Sequence, residues 1–444
     1  MTRRGWAFTV CCGVGLNLSS WSQTPTSPSS STADWGPTSG EVTWSLREHA
    51  LTWTTPRLEL HLDPWITFRH VAGTTNSVAE AGQELSEPWD NLRGAHFQAR
   101  LDNRWTVAGS LEEMQGIPGV WEAVTMGEAT ALPGWGRAKR TSGHRIDVAR
   151  SRVESQLHSP LPSGDTLVWQ AAYAPFQWGK LPSSLTFSDE AASFPRSGVR
   201  WLGTQGLYCA AHVARWTGTE RSPDGGSTES LFRQSDALWT QAQWQGRPSW
   251  NVGLLSGMVK ARPWTGELAQ DSTGAFAWKP WASAVAAWTS SNDQLSFAGE
   301  WTTHQGWGLG TTWTASKTLS FAASVTRLFC TTDAEWAMHH AGTPVSSAIR
   351  PFGTEEAWRV EATGQWTRDR LSFKARAASA AGWRAGECWI GWTLQQTWPL
   401  RASLGVEVWQ GAHHPWLPAQ GTRLRVGVSH RMGMTPGSTT FEAP

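Results

Sequence analysis

Along most of this chain, apolar or small residues fall at every second position. In "AWRVEATGQW", Trp358, Val360, Ala362, Gly364 and Trp366 alternate with Arg359, Glu361, Thr363 and Gln365. A period of two belongs to a strand whose faces meet different surroundings. Leu167, Trp169, Ala171 and Tyr173 repeat the pattern, as do Trp250, Val252 and Leu254, then Leu319, Phe321, Ala323 and Val325, and finally Leu424, Val426 and Val428. About 16 to 18 such segments follow one another, each roughly 8–12 residues long, the length of a tilted membrane strand. Only 76–86 ("NSVAEAGQELS") suggests a short helix. Tight connections at 246–248, 291–293 and 366–370 alternate with longer polar ones at 113–145, 218–230 and 330–356.

Alternation alone also suits a soluble sandwich or propeller, so composition has to choose the solvent. The 444 residues include 33 Trp and 2 Tyr, and charged residues make up 16%, against roughly 25% in soluble domains. Trp recurs near segment ends: Trp239 and Trp244, Trp301 and Trp307, Trp358 and Trp366, Trp389 and Trp392. Indole favours the boundary between hydrocarbon and water, so all eight are expected there. These features predict an all-β protein, a transmembrane antiparallel β-barrel of about 16–18 strands, with Trp358 and Val360 facing lipid and Arg359 and Glu361 facing the lumen. The mean hydropathy of −0.38 and the lack of any run of ~18 apolar residues argue against membrane helices. A net charge of +1 provides no surplus for a nucleic-acid partner.

The N-terminus has Arg3 and Arg4, an apolar stretch from Trp6 to Leu18 and a small-x-small site at Ser20 to Ser22. That is the form of an export signal over 1–22. A Ser/Thr/Pro-rich linker follows at 23–40, then the barrel at 41–432 and a tail at 433–444. The expected location is the cell outer membrane, with membrane lipid as a partner, and the expected state is monomeric. Cys209, Cys330 and Cys388 have neither a disulfide framework nor metal spacing, so no cofactor or metal is expected.

No catalytic constellation assembles. Ser256 in "GLLSGM" sits one place late for G-x-S-x-G. His339 with His340, His413 with His414, and Glu112 with Glu113 are sequence neighbours, which point to opposite faces of a strand. The expectation is a protein that is not an enzyme; a barrel lipid hydrolase is the third choice. In "GWGRAKRTSGHR", Arg137, Lys139, Arg140 and Arg145 form a basic run. Such a run serves as an anionic-glycan patch or, more commonly, as a solvated loop beside headgroups or periplasm.

Six segments in order between residues 60 and 260 resemble the capsule-assembly Wzi-like and gliding-motility RemB-like outer-membrane proteins of Bacteroidetes, and four of them match residue by residue. Asn91, Arg93 and Gly94 match an Asn-x-Arg-Gly strand start. Pro133, Gly134, Gly136 and Lys139 match a Pro-Gly-x-Gly loop with its following Lys, and Asp147 with Ala149 matches an Asp two before a small residue. Ser184, Leu185, Ser188 and Asp189 match a Ser-Leu-x-x-Ser-Asp segment, while Ser183 stands where that family carries Arg. The resemblance covers a little under half of the chain. It implies a non-catalytic, lectin-like barrel assisting attachment or assembly of surface polysaccharide. The alternative is a transport channel or a structural subunit of a gliding or secretion apparatus, with apparatus proteins as partners. Ser188 and Asp189 then bind sugar hydroxyls or, as turn chemistry favours, cap a turn. Asp147 begins a strand and is placed to pair with the basic run.

Overall fold

The computed structural model describes residues 41–44, 49–74, 89–117, 131–132, 135–140, 145–176, 178, 181, 187, 193–221, 232–245, 249–262, 277–303, 306–329, 356–368, 370–380, 383–395, 400–411 and 420–431. Eighteen strands form the wall. They are β1 (Leu58–Thr74), β2 (Trp89–Leu101), β3 (Trp105–Gly116), β4 (Ile146–Pro160), β5 (Thr166–Ala174), β6 (Phe194–Leu202), β7 (Leu207–Arg221), β8 (Phe232–Gln245) and β9 (Trp250–Ala261). The circuit continues through β10 (Lys279–Thr289), β11 (Leu295–Thr302), β12 (Gly306–Ser316), β13 (Leu319–Phe329), β14 (Glu356–Arg368), β15 (Leu371–Ala380), β16 (Trp383–Gln395), β17 (Leu400–Gly411) and β18 (Gln420–Arg431). Each pairs antiparallel with the next, and β18 pairs back onto β1 from Thr422↔Thr74 to Arg431↔Trp65. The result is a closed all-β barrel with no sheet edge along its main seam.

The stagger of this closure leaves the first part of β1 beyond the end of β18. A short strand, Leu51–Thr54, pairs there (Leu51↔Leu62), and Glu41–Trp44 pairs with it in turn. His49 ties this ladder down: its ring stacks on His61 at 3.9 Å and its Nδ1 lies 2.8 Å from Asp63.

The two ends of the barrel differ. At one, strands are joined by the spans 102–104, 161–165, 203–206, 246–249, 290–294, 317–318, 369–370 and 396–399, each of two to five residues. Asp102 and Asn103 take φ of 50° and 55°, the left-handed pair that a tight hairpin requires. The other end carries the long spans, among them 117–145, 175–193 and 330–355; only 303–305 and 381–382 are short there. The short helix expected at 76–86 lies outside the described residues.

Alternation sorts the side chains as the sequence predicts. Outward positions hold the exposed apolar residues: Val213, Leu238, Leu254, Leu309, Phe321, Val360, Val406 and Val426 among them. Val360 is 53% exposed while Glu361 beside it is 3% exposed. Trp105, Trp169, Trp244, Trp250 and Trp392 crowd the short-turn half of the outer surface, and Trp89 and Trp301 lie toward the other end. Two expected boundary indoles are elsewhere. Trp239 and Trp389 are 1% and 2% exposed and point inward. Each is an odd number of residues from its outward partner, Trp244 or Trp392, so strand geometry puts it on the other face.

Candidate functional site

The lumen is lined by two unlike surfaces. Over β5 to β10 the inward side chains are largely aromatic or apolar: Phe194, Trp216, Trp239, Leu255, Val259, Trp281 and Val285. Trp178 and Phe187, from the 175–193 connection, pack onto them, with Phe176 beside. Phe187 has no exposed surface. Its ring lies 5.0 Å from those of Phe176 and Trp239 and 5.4 Å from that of Trp281. The Trp178 amide donates to the Phe187 carbonyl at 3.1 Å, and its indole donates to Ser283 at 3.2 Å. This connection therefore folds into the barrel, where its apolar residues escape water. Gly253 accommodates it, because a Cβ there would sit 2.8 Å from the Trp178 ring.

Beneath this cluster runs a mixed row. Gln170, Gly198, His212 and Trp239 stand opposite one another on β5 to β8. The His212 ring stacks on Trp239 at 5.1 Å, over a gap where a Cβ on Gly198 would meet its Nδ1 at 2.2 Å. Both His212 ring nitrogens, Gln170 Oε1 and Gln241 Oε1 are buried without a hydrogen-bond partner. Such atoms are costly and gather where a ligand or water completes them. Glu154 organises the neighbouring side: it accepts from Gln170 at 2.7 Å and from Arg196 at 3.2 Å. Arg196 also donates to the Ala174 and Pro175 carbonyls, and Arg200 donates to Gln156 at 2.7 Å.

The other surface is ionic. Arg425 on β18 lies 2.7 Å from Asp90 on β2 and 3.1 Å from Glu407 on β17, and all three side chains are about 1% exposed. Arg69 approaches Asp90 at 4.0 Å. Asp90 also accepts from the Ile117 amide at 2.7 Å, and Arg425 donates to the Ile117 carbonyl at 3.2 Å. The start of the 117–145 connection is thus clamped to the wall by charge. Glu112 and Arg150 pair at 2.6 Å, and the Arg150 guanidinium covers the Trp135 ring at 4.2 Å. Glu361 and Arg376 pair at 2.6 Å. An acid beside an arginine, on the adjacent strand for Glu407–Arg425, Glu112–Arg150 and Glu361–Arg376 and across β1 for Asp90–Arg425, offsets the desolvation cost of these buried charges.

The residues singled out from sequence separate. Asn91, Arg93 and Asp147 share the outward face near the long-connection end, in the register Asn91↔Gln115↔Asp147↔Lys139. Arg93 pairs with Glu113 at 2.6 Å. Lys139 is exposed and stands opposite Asp147 in the strand register. Gly94 faces inward, where a Cβ would collide with the Leu111 carbonyl at 2.6 Å and the Trp65 indole. Gly136 and Arg137 form a two-residue strand, Lys139 and Arg140 another, and Arg145 precedes β4. The side chains of Arg137 and Arg140 lie outside the described residues, as do Pro133, Gly134, Ser184, Leu185, Ser188 and Asp189. Glu112 faces the lumen and Glu113 the outer surface, and Ser256 lies on the exposed outer side. Sequence reasoning missed the lumen row and the ionic clamp. The inward parity of Gln170, His212, Gln241, Arg425 and Glu407 was available as a signal, but the partners of each come from distant strands.

A closed antiparallel wall, apolar outside and polar or packed inside, defines a transmembrane β-barrel. No protein-family model matches the sequence, and no curated protein matches it. Among solved structures it is similar to Wzi, an outer-membrane carbohydrate-binding β-barrel involved in group 1 capsule assembly in Escherichia coli. That match has 8% identity over 84% of each chain and a TM-score of 0.48. It is similar to OccAB4 of Acinetobacter baumannii at 8% identity, 85% of this chain, 98% of that one and a TM-score of 0.45. OmpF of Salmonella typhi aligns at 11% identity, 84% and 98% coverage, and a TM-score of 0.40.

Proposed function

We propose that this barrel resides in a bacterial outer membrane and holds a surface polysaccharide, acting as a lectin-like, non-catalytic assembly factor. The carrying observation is the lumen row of Gln170, His212 and Trp239, with Gln241 in the next inward row. It combines an aromatic face with buried donors and acceptors that lack partners, which is the chemistry that recognises sugar hydroxyls. The ordered motifs shared with capsule-assembly barrels support the same reading. So does the position of the basic run on the long-connection side, which in bacterial barrels faces the cell exterior.

A glycan array probed with the purified barrel tests it. His212→Leu with Gln170→Leu should lower glycan retention about tenfold while leaving heat-modifiable migration intact. Arg137→Ala with Arg140→Ala should weaken retention of acidic polymers more than neutral ones. Impermeant labelling of Lys139→Cys in intact cells checks the orientation. No glycan retention by the wild-type barrel would sink the reading. A transport channel is the second reading, favoured by the Glu112–Arg150 and Glu361–Arg376 pairs that line the lumen. Steady planar-bilayer conductance without glycan binding would select it.

A further inference from the structure

On the lumen side of β4 to β8, a belt of hydrogen bonds fixes how the two glutamines of the site are turned. Glu154 accepts from Gln170 at 2.7 Å and also from Gln156, which in turn accepts from Arg200 at 2.7 Å. One row toward the short-turn end, Gln241 donates to the Tyr208 hydroxyl. A carboxylate only accepts, so Gln170 must give its Nε2 to Glu154 and turn its Oε1 away. Gln241, with its Nε2 on Tyr208, also turns its Oε1 away.

The atoms left without partners can therefore be counted by kind. Gln170 Oε1 and Gln241 Oε1 are acceptors. Both His212 ring nitrogens are also unpartnered, and a neutral imidazole offers one donor and one acceptor. The site thus waits for three donated hydrogen bonds and one accepted one. All three side chains are more than nine-tenths buried, at 6%, 5% and 2% exposed for Gln170, Gln241 and His212, where an unmet polar atom is costly. Gly198 makes room for the ring, since a Cβ there would meet His212 Nδ1 at 2.2 Å. Phe176 covers the long-connection side, 5.4 Å from the His212 ring. The short-turn side is the open one: Gln156, Arg200, Tyr208 and Gln243 are half-exposed there.

We propose that Gln170, His212 and Gln241 select an uncharged, hydroxyl-bearing stretch of glycan more than one sugar long; this rests on the carbohydrate-holding reading and names the class of sugar the lumen takes. A hydroxyl donates one hydrogen bond and accepts others, so a few hydroxyls meet both kinds of unpartnered atom. A uronate carboxylate or a sulfate ester in their place only accepts, and leaves both glutamine oxygens unmet. An ammonium only donates, and leaves the imidazole N–H unmet. Gln170 on β5 and Gln241 on β8 stand three strands apart, about 14 Å across the ladders. That is wider than one sugar ring, so a chain and not a single sugar spans them.

The test uses the full-length barrel in detergent micelles, carrying Arg137→Ala and Arg140→Ala so that the basic run no longer captures acidic sugars. Equilibrium dialysis reads the binding of neutral hexasaccharides of glucose, galactose and mannose against hexagalacturonate and hexaglucosamine, and against the neutral monosaccharides. At least one neutral hexasaccharide should bind about tenfold more tightly than either charged one and than its own monosaccharide. Gln170→Leu and Gln241→Leu should each lower that binding about tenfold and narrow the preference over hexagalacturonate, with heat-modifiable migration showing that the wall is folded. Gly198→Ala should act in the same direction by displacing the His212 ring. If no hexasaccharide binds, the carbohydrate-holding reading falls and the proposal with it. If hexagalacturonate binds as tightly as the neutral chains, or the glutamine variants leave binding unmoved or weaken every sugar equally, the proposal is overturned while polysaccharide holding stands.

Discussion

The two linings of the lumen hold their connections by opposite means. Around Phe187 a connection is held mainly by ring against ring, with the Arg196 guanidinium bonding the Pro175 carbonyl at its start. Around Arg425 a connection is held through its Ile117 peptide by a guanidinium and a carboxylate. The apolar lining gains from each ring taken out of water and tolerates changes that preserve volume. The ionic lining gains little from being charged, yet depends on every partner being present. Identical strand geometry supports both, so the identity of the inward residue, not the fold, decides how each connection is held.

That contrast can be broken most sharply at Arg425. Arg425→Met leaves Asp90 and Glu407 buried without their shared partner and should cost about 3–5 kcal/mol in urea unfolding. Adding Asp90→Leu and Glu407→Leu should recover most of the loss; no recovery would mean that the charges contribute more than mutual compensation. On the aromatic side, Phe187→Ala should cost about 3–4 kcal/mol of local packing. The release should appear as faster exchange of the Trp178 amide, which bonds to the Phe187 carbonyl, while the wall stays folded. If wall amides loosen as well, the aromatic cluster supports the barrel rather than filling it.

The outer and inner faces of β14 give a smaller effect. Val360→Arg faces lipid and should impair insertion by about 2–4 kcal/mol, whereas Thr363→Arg faces inward and should cost less. Equal assembly yields would show that the faces are misassigned. The smallest effect belongs to the short-turn end, where Asp165 accepts the Thr204 amide at 2.9 Å and the Ser163 hydroxyl at 2.8 Å. The Thr204 bond first, then Ser163, holds its carboxyl below the usual range. A depressed acid stabilises the fold above its unfolded pKa of about 3.9 and loses that contribution as pH falls through the folded value. The stability difference between wild type and Asp165→Asn should therefore shrink below about pH 4, when unfolding is followed across pH.

The wall was legible because alternation and turn length are local. Val360 beside Glu361, and the short spans 291–293 and 246–248, follow from a few residues each. The interior was less legible. Trp178 and Phe187 lie in a motif-bearing stretch with no period of its own, and nothing local says that it folds inward onto β8 and β10. Trp239 and Trp389 were misplaced at the boundary because indole preference was given more weight than strand parity, which already pointed them inward. The register that sets Asp147 opposite Lys139 joins residues only eight apart, whereas Arg425 and Asp90 are brought together by barrel closure alone.

The same closure has a consequence for how the chain is made. β1 has two neighbours on one edge: the Leu51–Thr54 strand along its first residues and β18 along its last. The first partner leaves the ribosome just before β1, and the second is the final strand synthesised. One part of the seam can thus zip early and locally, while the other must wait for the opposite end of the polypeptide. Until then, the stretch of β1 from Trp65 to Thr74 is an unsatisfied edge that any extended segment could occupy. For as long as it is empty, that half-sealed seam is the place where an assembly factor would have to hold the nascent barrel.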